Sequence, residues 1–186
     1  MDAIVQAALK KWPNVPACRG WLALDARGDW YMRDDRVQAA GPFPAVKGSR
    51  IEHDKLREFI HRNYATELDG PEAGAWFFQN GPQKVYVELE AAPFVWRVLD
   101  EHGTLVSHNG LPAAHRSAWL DEHGRLFVEA DLGFGLVHTQ DMHMAAGVVE
   151  AGLWQPQTLA FAALPAQFDY VLSPQRAFER KSLDGG

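Results

Sequence analysis

Apolar residues recur in two rhythms along this chain, and the rhythm changes near residue 76. In the first part, Ile4, Val5, Ala8, Leu9 and Trp12 share one helical face, which predicts a short amphipathic helix ending before Pro13. Leu56, Phe59, Ile60 and Tyr64 are spaced in the same way and predict a core-facing helix near residues 50–65. Ser49 and Glu52 have capping-box spacing there, and Asp54 puts negative charge close to the helix N-terminus. Between these helices, residues 21–25 and 29–33 read as two strands around a turn at 26–28. Residues 37–48 read as loop, broken by Gly41, Pro42 and Pro44, and residues 65–74 as a loop suited to a linker.

From Trp76 the pattern becomes that of short strands. WFFQ and KVYVELE flank Asn80-Gly81, a hairpin signal, although Pro82 predicts a turn of more than two residues. FVWRVLD, TLVSH, SAWLD, RLFVEAD and LGFGLVH follow as further strands. Residues 140–154 predict a helix with Met142, Ala145, Ala146, Val149 and Leu153 on one side, weakened by Gly147. FDYVLS reads as one more strand, followed by a short helix after Pro174 and a frayed tail over 181–186.

The pentapeptide LDEHG occurs twice, at 99–103 and 120–124, each time between two strand-like runs. A degenerate copy, LDARG, stands at 24–28. Asp, Glu and His together suggest acid/base or metal chemistry. However, Asp and Gly persist in all three copies, whereas Glu and His do not. Asp can accept a backbone N–H two residues on, and Gly takes positive φ without a Cβ penalty. The repeat is therefore read as a hairpin turn, with Glu and His serving solubility.

Composition narrows the function classes. With 186 residues and 47% hydrophobic positions the chain is long enough for one domain or two small ones. Its net charge of -6 argues against general polyanion binding. That charge is uneven: residues 1–66 carry 11 Lys/Arg against 8 Asp/Glu, leaving the remaining excess of acid to residues 67–186. The single cysteine, Cys18, excludes an internal disulfide or a cysteine-rich metal site and fits a reducing compartment. With neither a signal peptide nor a long apolar run, the expected location is the cytoplasm, with no membrane and no long nucleic acid as partners.

Two constellations are candidates for chemistry. His138, Asp141 and His143 combine metal-ligating types, though at a spacing that matches no established motif. The central helix carries His53, Lys55, Arg57, His61 and Arg62, with Lys47 and Arg50 preceding it, a basic segment suited to an anionic or nucleotide-like small molecule. No Walker sequence, dinucleotide glycine pattern or serine nucleophile elbow is present, and Gly133-Phe134-Gly135 lacks the phosphate-loop spacing. The sequence leaves the cofactor unknown.

The order DWYM, helix, WFFQ and KVYVELEAAPF, with Ala92-Pro93-Phe94, resembles an uncharacterised proteobacterial domain of unknown function, the twelve-eighty-five family or a close neighbour of it, over residues 20–110. The resemblance implies a duplicated α+β architecture, a C-terminal half like a pleckstrin-homology β-barrel, and a signalling role with a ligand between the halves. It carries over no catalytic residues. Together with the predominantly antiparallel hairpins, the expectation is an α+β protein of two related halves, 1–82 and 83–186. Its expected role is that of a ligand-binding or regulatory module, more a binder than an enzyme. The ligand would meet Arg57, Arg62, Trp30, Tyr31, Trp76 and Trp96. The alternatives are a small metal-dependent enzyme using His138, Asp141 and His143, and a structural protein that pairs through its hairpins.

Overall fold

The computed structural model describes residues 1–184. The chain divides into two compact units. The first holds Met1–Asp25, Asp29–Glu90 and the segment from Tyr170 on; the second holds Ala26–Gly28 and Ala91–Asp169. The class is α+β with two sheets, and the hairpins expected from the alternating runs are present.

The first unit contains helix α1 (Ala3–Lys11), strands β1 (Cys18–Leu24) and β2 (Trp30–Met32), helix α2 (Asp35–Ala40) and strand β3 (Ser49–Arg50). Helix α3 (Asp54–Arg62) and strands β4 (Tyr64–Thr66), β5 (Trp76–Asn80) and β6 (Gln83–Leu89) follow. The strands lie in the order β3-β2-β1-β6-β5-β4, antiparallel except where β1 runs parallel to β6. The boundary expected at 82/83 falls in the turn between two paired strands, and β6 extends the first unit to Glu90.

The second unit contains β7 (Phe94–Val98), β8 (Leu105–Ser107), β9 (Pro112–Ala113), β10 (His115–Leu120), β11 (Leu126–Ala130) and β12 (Gly133–Val137). Helix α4 (Met142–Glu150), strand β13 (Gln157–Thr158) and the short helix α5 (Leu164–Gln167) complete it. Its sheet runs β13-β10-β11-β12-β7-β8-β9 and curls into a half-barrel. Each sheet thus contains two three-stranded meanders, joined by a parallel pairing between the first strand of one and the last strand of the other, β1 with β6 and β7 with β12; in the second sheet β13 adds a seventh strand, parallel to β10. The degenerate turn LDARG follows β1, and the first LDEHG follows β7, its topological counterpart.

Several elements differ from the sequence expectation for physical reasons. The helix expected near 50–65 is shorter at both ends. Ser49 and Arg50 pair with Met32 and Tyr31 instead of capping a helix, and Tyr64 pairs with Phe78 in the sheet. His53 is the cap, its Nδ1 accepting the Leu56 N–H at 3.3 Å. The stretch expected as loop at 37–48 begins inside α2, because the Asp34 carboxylate caps it by accepting the Val37 N–H. The rest of that loop is held by Arg33, which is buried and donates to the carbonyls of Val46, Gly20 and Gly41. A buried guanidinium with its donors satisfied rigidifies an irregular segment that has no ladder of its own. The linker expected at 65–74 begins with β4, inside the first unit's sheet.

Gly81 has φ of +56°, and Asn80 pairs directly with Gln83. The Gly-Pro loop is therefore two residues long, not longer. Positive φ at the first position and the ring-fixed negative φ of proline at the second are the sign pattern of a type II′ turn. FDYVLS is not a ladder strand. It runs as a connection whose backbone bonds reach Gly74 and Leu89, and helix α6 (Pro174–Asp184) follows it. Lys181 to Asp184 continue that helix where a frayed tail was expected; Gly185 and Gly186 lie outside the described residues. Helix α4 buries Ala145 and Val148, whereas Ala146 and Leu153 of the expected face are exposed.

Candidate functional site

One apolar groove opens on the first unit's sheet. Pairing across the β5–β6 hairpin places Phe78 opposite Val85 and Asn80 opposite Gln83. Alternate residues of a strand share a face, so all four lie on one side of the hairpin. Cys18 of β1 stands beside Val85 in the parallel register and continues this face. Helix α3 lines it with Leu56 and Ile60, where its apolar stripe meets the sheet. Trp21, Leu22, Met32 and Ile51 complete a groove of about 250 Å³. Trp21 and Met32 remain 40% and 49% exposed. All of its lining residues belong to the first unit. None was a sequence-level site residue. The signal lay in the hairpin at Asn80-Gly81, but only the two-residue Gly81-Pro82 loop fixes the register that collects Phe78, Asn80, Gln83 and Val85 on one face.

The expected ligand-binding residues have other occupations. Arg57 pairs with Asp54 one turn away on α3. Arg62 pairs with Asp2 at 3.2 Å and approaches Glu58, joining α1 to the end of α3. Trp30 is buried, its Nε1–H donating to His61 Nε2 at 2.9 Å, with Tyr64 packed edge-on at 5.3 Å. Trp76 packs against Tyr64 with ring centroids 4.7 Å apart. The Tyr31 hydroxyl donates to Asp25, and burial followed by the Asp25 charge raises its pKa. Trp96 lies in the second unit, wholly buried, its Nε1–H donating to the Val128 carbonyl at 2.9 Å. None of the six lines the groove.

His61 is the most perturbed histidine in this region. Desolvation, followed by the Arg57 charge, lowers its pKa to about 4. It accepts the Trp30 N–H as a neutral imidazole.

The metal candidates are likewise engaged or apart. His138 is buried, and its Nδ1 accepts the Gln140 N–H, capping the short 3-10 turn Thr139–Asp141. Asp141 takes a bidentate bond from Arg97, at 2.5 and 2.9 Å, and the Val98 N–H at 3.1 Å. The Arg97 bond chiefly, against some burial, holds this carboxyl below the usual range. His143 is exposed and lines an open cleft of about 640 Å³ with Glu101, His102 and Glu150. Among the described residues, no group of three or more His, Cys, Asp or Glu side chains is placed to hold a metal ion.

The LDEHG copies are turns. Asp100 accepts the N–H groups of His102 and Thr104, and Asp121 accepts those of His123 and Arg125. Asp25 of LDARG accepts the Asp29 N–H. The glycines stand at φ of +83°, +77° and +72°. Solubility does not describe every Glu, however: Glu122 accepts the Phe161 N–H at 2.7 Å and so ties down a neighbouring segment. The Asp121 side chain is enclosed and also takes the Arg125 guanidinium at 2.7 Å. Asp121→Ala is therefore expected to lower stability by about 2–3 kcal/mol, since three donors lose a charged acceptor. His123→Ala, at an exposed tip, is expected to stay within about 0.5 kcal/mol of the parent. Urea titrations of both variants check this; equal midpoints would remove the turn reading.

No curated protein matches this chain. Among solved structures it is similar to a DUF1285 family protein from Silicibacter pomeroyi DSS-3, at 15% identity and a TM-score of 0.46, covering 78% of this chain and 83% of that one. It is also similar to a DUF1285 family protein from Shewanella baltica OS155, at 14% identity and a TM-score of 0.41, covering 69% of this chain and 91% of that one. No described helix is long and apolar enough to cross a membrane. The family DUF2944, described as "Protein of unknown function (DUF2946)", matches residues 1–175, and the chain belongs to it.

Proposed function

We propose that this protein is a non-enzymatic ligand-binding module whose ligand is a small, largely apolar molecule held in the groove between α3 and the β1–β6–β5 face. The observation that carries this reading is the groove itself, about 250 Å³ of concave, mainly apolar surface with Trp21 and Met32 left partly in water. Large apolar side chains at a concave site gain free energy when a ligand removes them from solvent. The volume corresponds to roughly eight waters at ~30 Å³ each, so the open groove can bury a short alkyl chain or one aromatic ring system of a ligand. A ligand there would touch a helix and four strands together, which gives a regulatory module a means of reporting occupancy. The metal-dependent alternative has no comparable geometry, because Asp141 is committed to Arg97 and His143 is exposed.

The test uses the uncharged fluorescent probe N-phenyl-1-naphthylamine. Its emission is expected to rise and saturate at one probe per chain. Met32→Glu sets a charge into the groove at a half-exposed position, where the fold tolerates it, and is expected to weaken uptake about tenfold or more. Uptake that does not saturate, or that Met32→Glu leaves unchanged in a folded protein, overturns the reading.

A further inference from the structure

The two side chains at the hairpin end of the groove, Asn80 and Gln83, are both carboxamides and face each other across the β5–β6 ladder. Directly opposed residues on adjacent strands project to the same side, with Cβ atoms about 5 Å apart. The apolar strip of Phe78 and Val85 therefore ends in a pair of neutral donor–acceptor groups. Gln83 uses its Nε2–H toward the Pro16 carbonyl, at 3.0 Å, which leaves its Oε1 as an acceptor. Asn80 is exposed and keeps both its N–H donors and its carbonyl for a ligand. No Asp, Glu, Lys, Arg or His is among the residues that line the groove. The cations that suggested an anionic ligand are elsewhere: Arg57 and Arg62 are ion-paired and line no part of it.

From this pairing of an apolar floor with a charge-free carboxamide end, we infer that the groove selects uncharged ligands bearing a carboxamide-like head on a short apolar body, and discriminates against the corresponding carboxylates. The inference rests on the binding reading above and specifies its ligand class. A primary amide has one acceptor and two donors, and so do Asn80 and Gln83, so head and site can exchange complementary hydrogen bonds. A carboxylate is acceptor-only. It would give up its hydration for a site without a compensating cation, and could use only the N–H donors there, leaving the carbonyl oxygens of Asn80 and Gln83 without a donor.

Octanamide and octanoate are a matched pair of about equal size that differ in charge at neutral pH. Each is titrated at pH 7.5 by competition against bound N-phenyl-1-naphthylamine, with direct calorimetry as a second readout. Octanamide is expected to bind at least tenfold more tightly than octanoate. In the Asn80→Ala/Gln83→Ala double variant, octanamide is expected to weaken by about fivefold more than the fluorescent probe, which lacks the amide head; both positions are at a hairpin end where truncation leaves the core intact. Equal or tighter binding of octanoate overturns the inference and restores the anionic ligand class. Undiminished octanamide binding by the double variant overturns it as well, because the head would then lie elsewhere. Uptake of the probe with no binding of octanamide overturns the inference alone, whereas failure of the probe itself overturns the reading on which the inference depends.

Discussion

Gly135→Ala is expected to destabilise the second unit by about 3–5 kcal/mol. A Cβ at Gly135 would stand 2.4 Å from Trp96 Nε1, 2.7 Å from its Cε2 and 2.8 Å from the Phe94 Cβ. None of these neighbours is the free end of a mobile side chain. Trp96 is fully buried, stacked on Phe94 with ring centroids 5.1 Å apart, and anchored by its N–H bond to Val128. Relief requires the indole to move, which breaks that bond and disturbs the packing around it; an overpacked core site and an orphaned buried donor each cost about 1–3 kcal/mol. The glycine of Gly133-Phe134-Gly135 is thus explained by the space an indole needs and not by a phosphate. Chemical denaturation followed by near-ultraviolet circular dichroism checks this. A midpoint equal to the parent's would show that Trp96 is not fixed as described.

Trp30→Ala is expected to cost the first unit about 3–5 kcal/mol, the usual range for truncating a buried aromatic. Trp30 is 1% exposed, and its loss removes both the edge-on contact with Tyr64 and the indole N–H donated to His61 Nε2. A pH signature accompanies it. His61 has a folded pKa of about 4 against an ordinary 6.5, so the folded state prefers the neutral imidazole. That contribution is fully present above about pH 6.5 and is lost as the pH falls towards about 4, because the unfolded chain takes up the proton first. His61→Gln keeps an acceptor for the Trp30 N–H and cannot be protonated in this range. It is expected to flatten the stability profile between these two pH values while changing it little at pH 8. Lowered carboxyl pKa values at Asp121 and Asp141 act in the same direction at lower pH and remain in the variant, so the comparison isolates the imidazole. A profile with the same acid slope in parent and variant would contradict the assignment.

The candidate site was less legible than the fold. Asn80-Gly81 marked a hairpin correctly, but Pro82 suggested a longer loop, and without the direct Asn80–Gln83 pairing the shared face of the two carboxamides was hidden. Arg57 and Arg62 looked available in the sequence because their partners, Asp54 and Asp2, stand three and sixty residues away. The first is a helical neighbour and could have been read; the second requires α1 to meet the end of α3. Trp30 and Trp96 looked like binding aromatics, yet each has its indole N–H satisfied inside its own unit. A tryptophan in a strand does not disclose from sequence which face its strand turns inward.

By itself the sequence determined those features whose physics is local. Alternation set the strands, Asp and Gly set the LDEHG and LDARG reversals, and the apolar stripe of Leu56 and Ile60 set the central helix. Each is a matter of a few consecutive residues satisfying their own backbone. Only the tertiary structure decided which strands close each sheet through a parallel pairing, that Ser49 and Tyr64 join ladders instead of a helix, and that Cys18, Met32, Asn80 and Gln83 share one groove. These depend on contacts between residues far apart in the chain, where strand pairing and burial outweigh local propensity by supplying partners that a short segment cannot provide for itself.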